Sequence, residues 1–88
     1  MSGSILIVDD EPVNQMLLAD SLALSGYTPI TADDGEQALA ILASEEHHIE
    51  AILLDRMMPG IDGLSVLKQI RQHPAWQRIP VILQTAVN

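Results

Sequence analysis

Ile5-Leu6-Ile7-Val8 runs directly into Asp9-Asp10, and Ala51-Ile52-Leu53-Leu54 runs into Asp55. Short β-branched and leucine-rich runs bounded by polar residues read as strands buried on both faces, the kind found in parallel sheets. If the two strands are neighbours, three carboxylates meet at one end of the sheet. Held together, they repel one another unless a cation sits among them. Mg²⁺ suits such a place, because it is a hard ion that takes oxygen ligands and keeps several of its waters. A lone Asp at a strand end is commonly a turn former. Three converging from separate strands mark a site.

Outward from these two runs, strand and helix patterns alternate without a break. Residues 4–9 form the first strand. Pro12 fits the first turn of a helix, where its missing N–H costs nothing. Val13, Met16, Leu17, Asp20 and Leu24 follow at helical spacing, and Gly26 supplies the stop. Residues 27–31 form a short second strand, marked as an edge by Pro29. Asp34 and Gln37 have the spacing of a capping box, ahead of a second helix with Ala38, Leu39, Ile41 and Leu42 inward. Residues 49–55 give the third strand. Asp62 can cap a third helix that runs to about residue 73, with Leu64, Leu67 and Ile70 inward and Pro74 at its end. Residues 79–85 give the fourth strand.

Single helices between strands predict an α/β fold, a doubly wound parallel sheet with right-handed crossovers. Ligands in such sheets bind beyond the carboxyl ends of the strands, where the winding reverses. With the first and third strands at that point, Asp9, Asp10 and Asp55 lie in the crevice.

Composition narrows the class. The 88 residues are enough for one domain. Hydrophobic residues make up 48% and aromatics 2%, so the core must be aliphatic. Twelve Asp and Glu face four Lys and Arg, a net charge of −8, which argues against direct nucleic-acid binding and against a polybasic membrane patch. No apolar run approaches the roughly 18 residues of a membrane-spanning helix, and no secretory signal is present. The absence of cysteine excludes a disulfide framework and thiolate metal sites, and fits a cytoplasmic protein. His47-His48 and His73 lack the helical i, i+4 spacing of paired metal ligands and read as solvated surface residues. Trp76, between Pro74 and Pro80, reads as a loop packing residue.

Three segments together resemble the receiver domain of two-component response regulators. Residues 7–12, Ile-Val-Asp-Asp-Glu-Pro, resemble the family's acidic pocket motif. Residues 54–63, Leu-Asp-Arg-Met-Met-Pro-Gly-Ile-Asp-Gly, resemble its phosphoacceptor loop. Residues 80–86, Pro-Val-Ile-Leu-Gln-Thr-Ala, resemble its fourth strand, which ends in a hydroxyl residue followed by Ala. The resemblance covers nearly the whole chain. It implies a flavodoxin-like sheet with strand order 2-1-3-4 and three helices. It also implies that residues 1–88 lack the family's fourth helix, fifth strand and fifth helix.

The chemistry implied is that of a phosphoacceptor module. Asp55 takes a phosphoryl group from a phosphohistidine on a histidine kinase or phosphotransfer protein. Mg²⁺ is held by Asp10 and Asp55, by Asp9 directly or through water, and by the backbone carbonyl of Met57. The Thr85 hydroxyl acts as the switch, and the Ala86 N–H is a second donor to the phosphoryl group. Such a module catalyses at most its own phosphorylation and dephosphorylation. The family's phosphate-contacting lysine has no counterpart, since Lys68 is the only lysine and lies on the third helix. Weak phosphorylation of this fragment is therefore expected, as is self-association through an exposed fourth strand. Two other readings are a Mg²⁺-dependent phosphatase with an Asp nucleophile and an interaction fragment without phosphoryl chemistry. Met57 argues against the phosphatase, because such enzymes place a second acid two residues after the nucleophile.

Overall fold

Leu6, Val8, Ile52 and Leu54 are each buried to within one per cent, and they define the centre of a four-stranded parallel sheet. The computed structural model describes residues 3–55 and 63–84. Its elements are β1 (Ser4–Val8), α1 (Pro12–Leu24), β2 (Thr28–Ala32), α2 (Gly35–Ser44), β3 (Ile49–Asp55), α3 (Gly63–Gln72) and β4 (Val81–Gln84). The strand order is β2-β1-β3-β4, all parallel. The expected order and alternation are therefore observed, with boundaries shifted by one or two residues. β1 stops at Val8, so Asp9 already belongs to the following loop. β4 starts at Val81, because Ile79 is held in the preceding turn by its N–H to the Trp76 carbonyl.

Side chains alternate along each strand, so one face of the sheet receives Leu6, Val8, Ile52 and Leu54. Ala38 and Leu42 of α2 and Val66 and Ile70 of α3 pack on that face, and Ala32 and Ile49 complete the cluster. Burying one such aliphatic side chain stabilises the fold by about 1.5–3 kcal/mol. Ile5 and Ile7 alternate to the other face and are also buried. α2 starts where its sequence says it should. Asp34 is the N-cap and accepts from the Gln37 N–H at 2.8 Å, while the Gln37 side chain accepts from the Asp33 N–H at 2.9 Å.

Two helix faces differ from expectation. In α3, Leu64 is 48% exposed, and the inward residues are Gly63, Val66 and Ile70 with Leu67 half-buried. In α1, Val13, Met16, Leu17 and Leu24 point outward, and the half-buried stripe is Gln15, Leu18, Ala19 and Leu22. That stripe has the i, i+3, i+4, i+7 spacing of an inner face. α1 is apolar on both sides, so its periodicity alone does not choose between them. Gly26, at φ +92°, makes the left-handed turn that ends α1 and starts the return to β2. Among the described residues no helix is long and apolar enough to cross a membrane.

Candidate metal centre

The register of the sheet brings the acids together. Val8 of β1 pairs with Leu54 of β3 on one side and with Ala32 of β2 on the other. The residues that follow, Asp9-Asp10 and Asp55, therefore leave adjacent strands at the same end. Asp9, Asp10 and Asp55 each offer a carboxylate oxygen, and these oxygens all lie within 4.8 Å of one another. Of the expected site residues, these three are brought together. Met57, Thr85 and Ala86 lie outside the described residues, as does the expected helix cap Asp62.

Asp9 is the anchored member, only 4% exposed. Its N–H continues the sheet by donating to the Ala32 carbonyl at 3.1 Å. One of its carboxylate oxygens accepts from the Glu11 N–H at 2.9 Å. This is the local turn that Asp favours, a side chain satisfying an N–H two residues on. Asp10 and Asp55 are more open to solvent than Asp9. Gln84 of β4 stands beside Asp55 in register and is half-buried.

Gln15, a residue the motifs do not point to, ties the acidic loop down. Its side-chain amide donates to the Asp9 carbonyl, to the Asp33 carboxylate at 2.8 Å and to the Ala32 carbonyl at 3.3 Å. An amide nitrogen has two hydrogens, so one is shared, and the longest contact is the weak branch. The grip joins the end of β1 to the end of β2 one helical turn after the acidic pair. A lone polar residue within the Leu18, Ala19, Leu22 stripe was the available signal.

An all-oxygen donor set with one buried, hydrogen-bonded carboxylate and two accessible ones fits a hard divalent cation such as Mg²⁺. A cation held there by these residues would offset the mutual repulsion of the carboxylates.

Comparison with known proteins agrees with this arrangement. The family model of the response regulator receiver domain matches residues 5–88. The response regulator PleD of Caulobacter vibrioides is 44% identical over 88 residues, covering 100% of this chain and 19% of PleD. The sensor histidine kinase RcsC of Escherichia coli K12 is 45% identical over 82 residues, covering 93% of this chain and 8% of RcsC. The chain thus spans less than a fifth of these two relatives. Among solved structures, the response regulator TrrA of Thermotoga maritima, in complex with Mg²⁺-BeF, superposes with a TM-score of 0.87 and 40% identity. That match covers 100% of this chain and 72% of TrrA. Sheet order, acidic crevice and sequence agree: this chain belongs to the response regulator receiver domains of two-component signalling, with their flavodoxin-like fold.

Proposed function

We propose that Asp55 is a phosphoacceptor, served by Mg²⁺ held on Asp9, Asp10 and Asp55 and on the backbone carbonyl of Met57. The observation that carries this reading is the convergence of the three carboxylates at the carboxyl end of β1 and β3. The donor is a phosphohistidine on a histidine kinase or phosphotransfer protein. A carboxylate oxygen of Asp55 attacks phosphorus as the nitrogen–phosphorus bond breaks, and the departing imidazole nitrogen takes up a proton. Asp9 and Asp10 keep the crevice anionic and oriented, with Asp9 fixed by Glu11 and by the Gln15 grip. The bound cation supplies charge compensation for the incoming phosphoryl oxygens. The Thr85 hydroxyl and the Ala86 N–H are the further donors to the acyl phosphate. Support for the reading comes from TrrA, which is described with Mg²⁺-BeF, and from RcsC, a sensor histidine kinase.

Lys68 is exposed on α3, so the reading assigns no lysine to the phosphoryl group, and phosphorylation of these 88 residues is expected to be slow. The test is incubation with acetyl phosphate and MgCl₂, followed by intact mass. A gain of one phosphoryl group, lost with EDTA and lost in Asp55→Asn, is expected. A gain that survives Asp55→Asn overturns the assignment. The reading also includes self-association through β4. Among the described residues no strand covers its outer edge, and Ile82 and Leu83 are 54% and 37% exposed.

A further inference from the structure

At the end of the sheet opposite the acidic crevice, two adjoining hollows of about 590 and 550 Å³ open between α2 and α3. They share Ala43, His73 and Trp76, so they form one groove with the only indole of the chain at its middle. Ile49, the first residue of β3, lines one hollow, whereas Asp55 ends the same strand at the carboxylate cluster. An occupant of the groove therefore leaves the crevice open.

The groove is built rather than incidental. The His73 ring stacks on Trp76 with centroids 3.7 Å apart and planes 11° from parallel. The His73 imidazole is oriented by the Ala75 N–H, which donates to Nδ1 at 3.1 Å. Arg71 fastens the connection that carries Trp76, donating to the carbonyls of Gln77 at 3.0 Å and Ile79 at 2.8 Å. Trp76 is thus a half-buried aromatic held in place before any partner arrives, which keeps the ordering cost of binding low. Held aromatic side chains of this kind dominate the energetics of protein interfaces.

Charge selects the partner. Glu45 and Glu46 line the groove with His47, His48 and His73, and among the described residues no lysine or arginine does. The chain as a whole carries −8. Phosphate-bearing ligands are therefore disfavoured, and a cationic one is attracted. We infer that the α2–α3 groove docks a short basic segment of a partner protein, with an apolar side chain against Trp76 and arginine or lysine beside Glu45 and Glu46.

The probe is an acetylated, amidated peptide of alternating arginine and leucine pairs, titrated into the whole chain at 150 mM NaCl. Trp76 emission is the readout, since the peptide carries no indole. A saturable change in emission is expected. Glu45→Lys with Glu46→Lys should weaken binding by roughly tenfold, from the loss of two charge pairs and the repulsion that replaces them. Asp20→Lys with Glu36→Lys changes net charge equally and should leave affinity within about twofold. All four positions are exposed, so these variants test the surface without disturbing the core. Equal weakening by both pairs means attraction by net charge only and overturns the proposal. So does binding detected by calorimetry without a change in Trp76 emission, or equal binding of a glutamate–leucine peptide.

Discussion

At the scale of single residues, the acidic crevice depends on a side chain that carries no charge. Gln15 reaches from α1 to the Asp9 carbonyl, the Ala32 carbonyl and the Asp33 carboxylate. Gln15→Met keeps the length and removes the amide, leaving those acceptors to find other donors. A loss of about 1 kcal/mol in urea unfolding is expected, mainly from the part-buried Asp9 carbonyl, since Asp33 is exposed and the Ala32 carbonyl still accepts from the Asp9 N–H. Calorimetric titration with MgCl₂ should also give a several-fold weaker affinity, because the loop bearing Asp9 and Asp10 is no longer pinned. Unchanged values of both would remove Gln15 from the positioning machinery. The contrast with Asp9, Asp10 and Asp55 explains what the sequence makes visible. Acids at the ends of apolar runs are local patterns that need only the strand to be recognised. The partners of Gln15 lie on two different strands, and no local pattern announces them.

At the scale of elements, the same division runs through the helices. The start of α2 was legible because capping is local: Asp34 and Gln37 close their bonds within one turn. The inner faces of α1 and α3 were not, because they are decided by the sheet beneath. Leu64, Leu67 and Ile70 form an acceptable apolar stripe, yet the helix settles with Gly63, Val66 and Ile70 inward. Glycine at 63 adds no apolar side chain, so the sequence pattern does not mark it as part of the inner face. The assignment has a direct energetic test. Ile70→Ala should cost about 2–5 kcal/mol, the range for emptying a packed aliphatic site. Leu64→Ala, at a position 48% exposed, should stay within about 1 kcal/mol in the same guanidinium unfolding curves. Comparable losses at the two positions would restore the sequence-based face.

At the scale of the whole molecule, the sheet formed by the described residues has two unlike edges. β2 carries Pro29, which has no N–H to give a ladder, whereas every residue of β4, Val81, Ile82, Leu83 and Gln84, keeps one. Concentration-dependent mass in light scattering is the expected result, and Ile82→Lys should shift it toward the monomer by placing a charge on that strand. A constant monomer mass in the parent chain would exclude β4 as a pairing edge. The layer order was legible because strand–helix alternation leaves few topologies open. That order also governs when the acidic cluster can exist. β1 is made before its partner β3 and is separated from it by α1, β2 and α2. Such a non-local pairing meets its loop-closure entropy before its contacts form, which slows folding. A chain growing from its amino terminus therefore holds Asp9 and Asp10 on an unfinished sheet until residues 49–55 arrive. The acidic crevice is a late product of folding, since Asp9 and Asp10 are made well before the strand that brings Asp55 beside them.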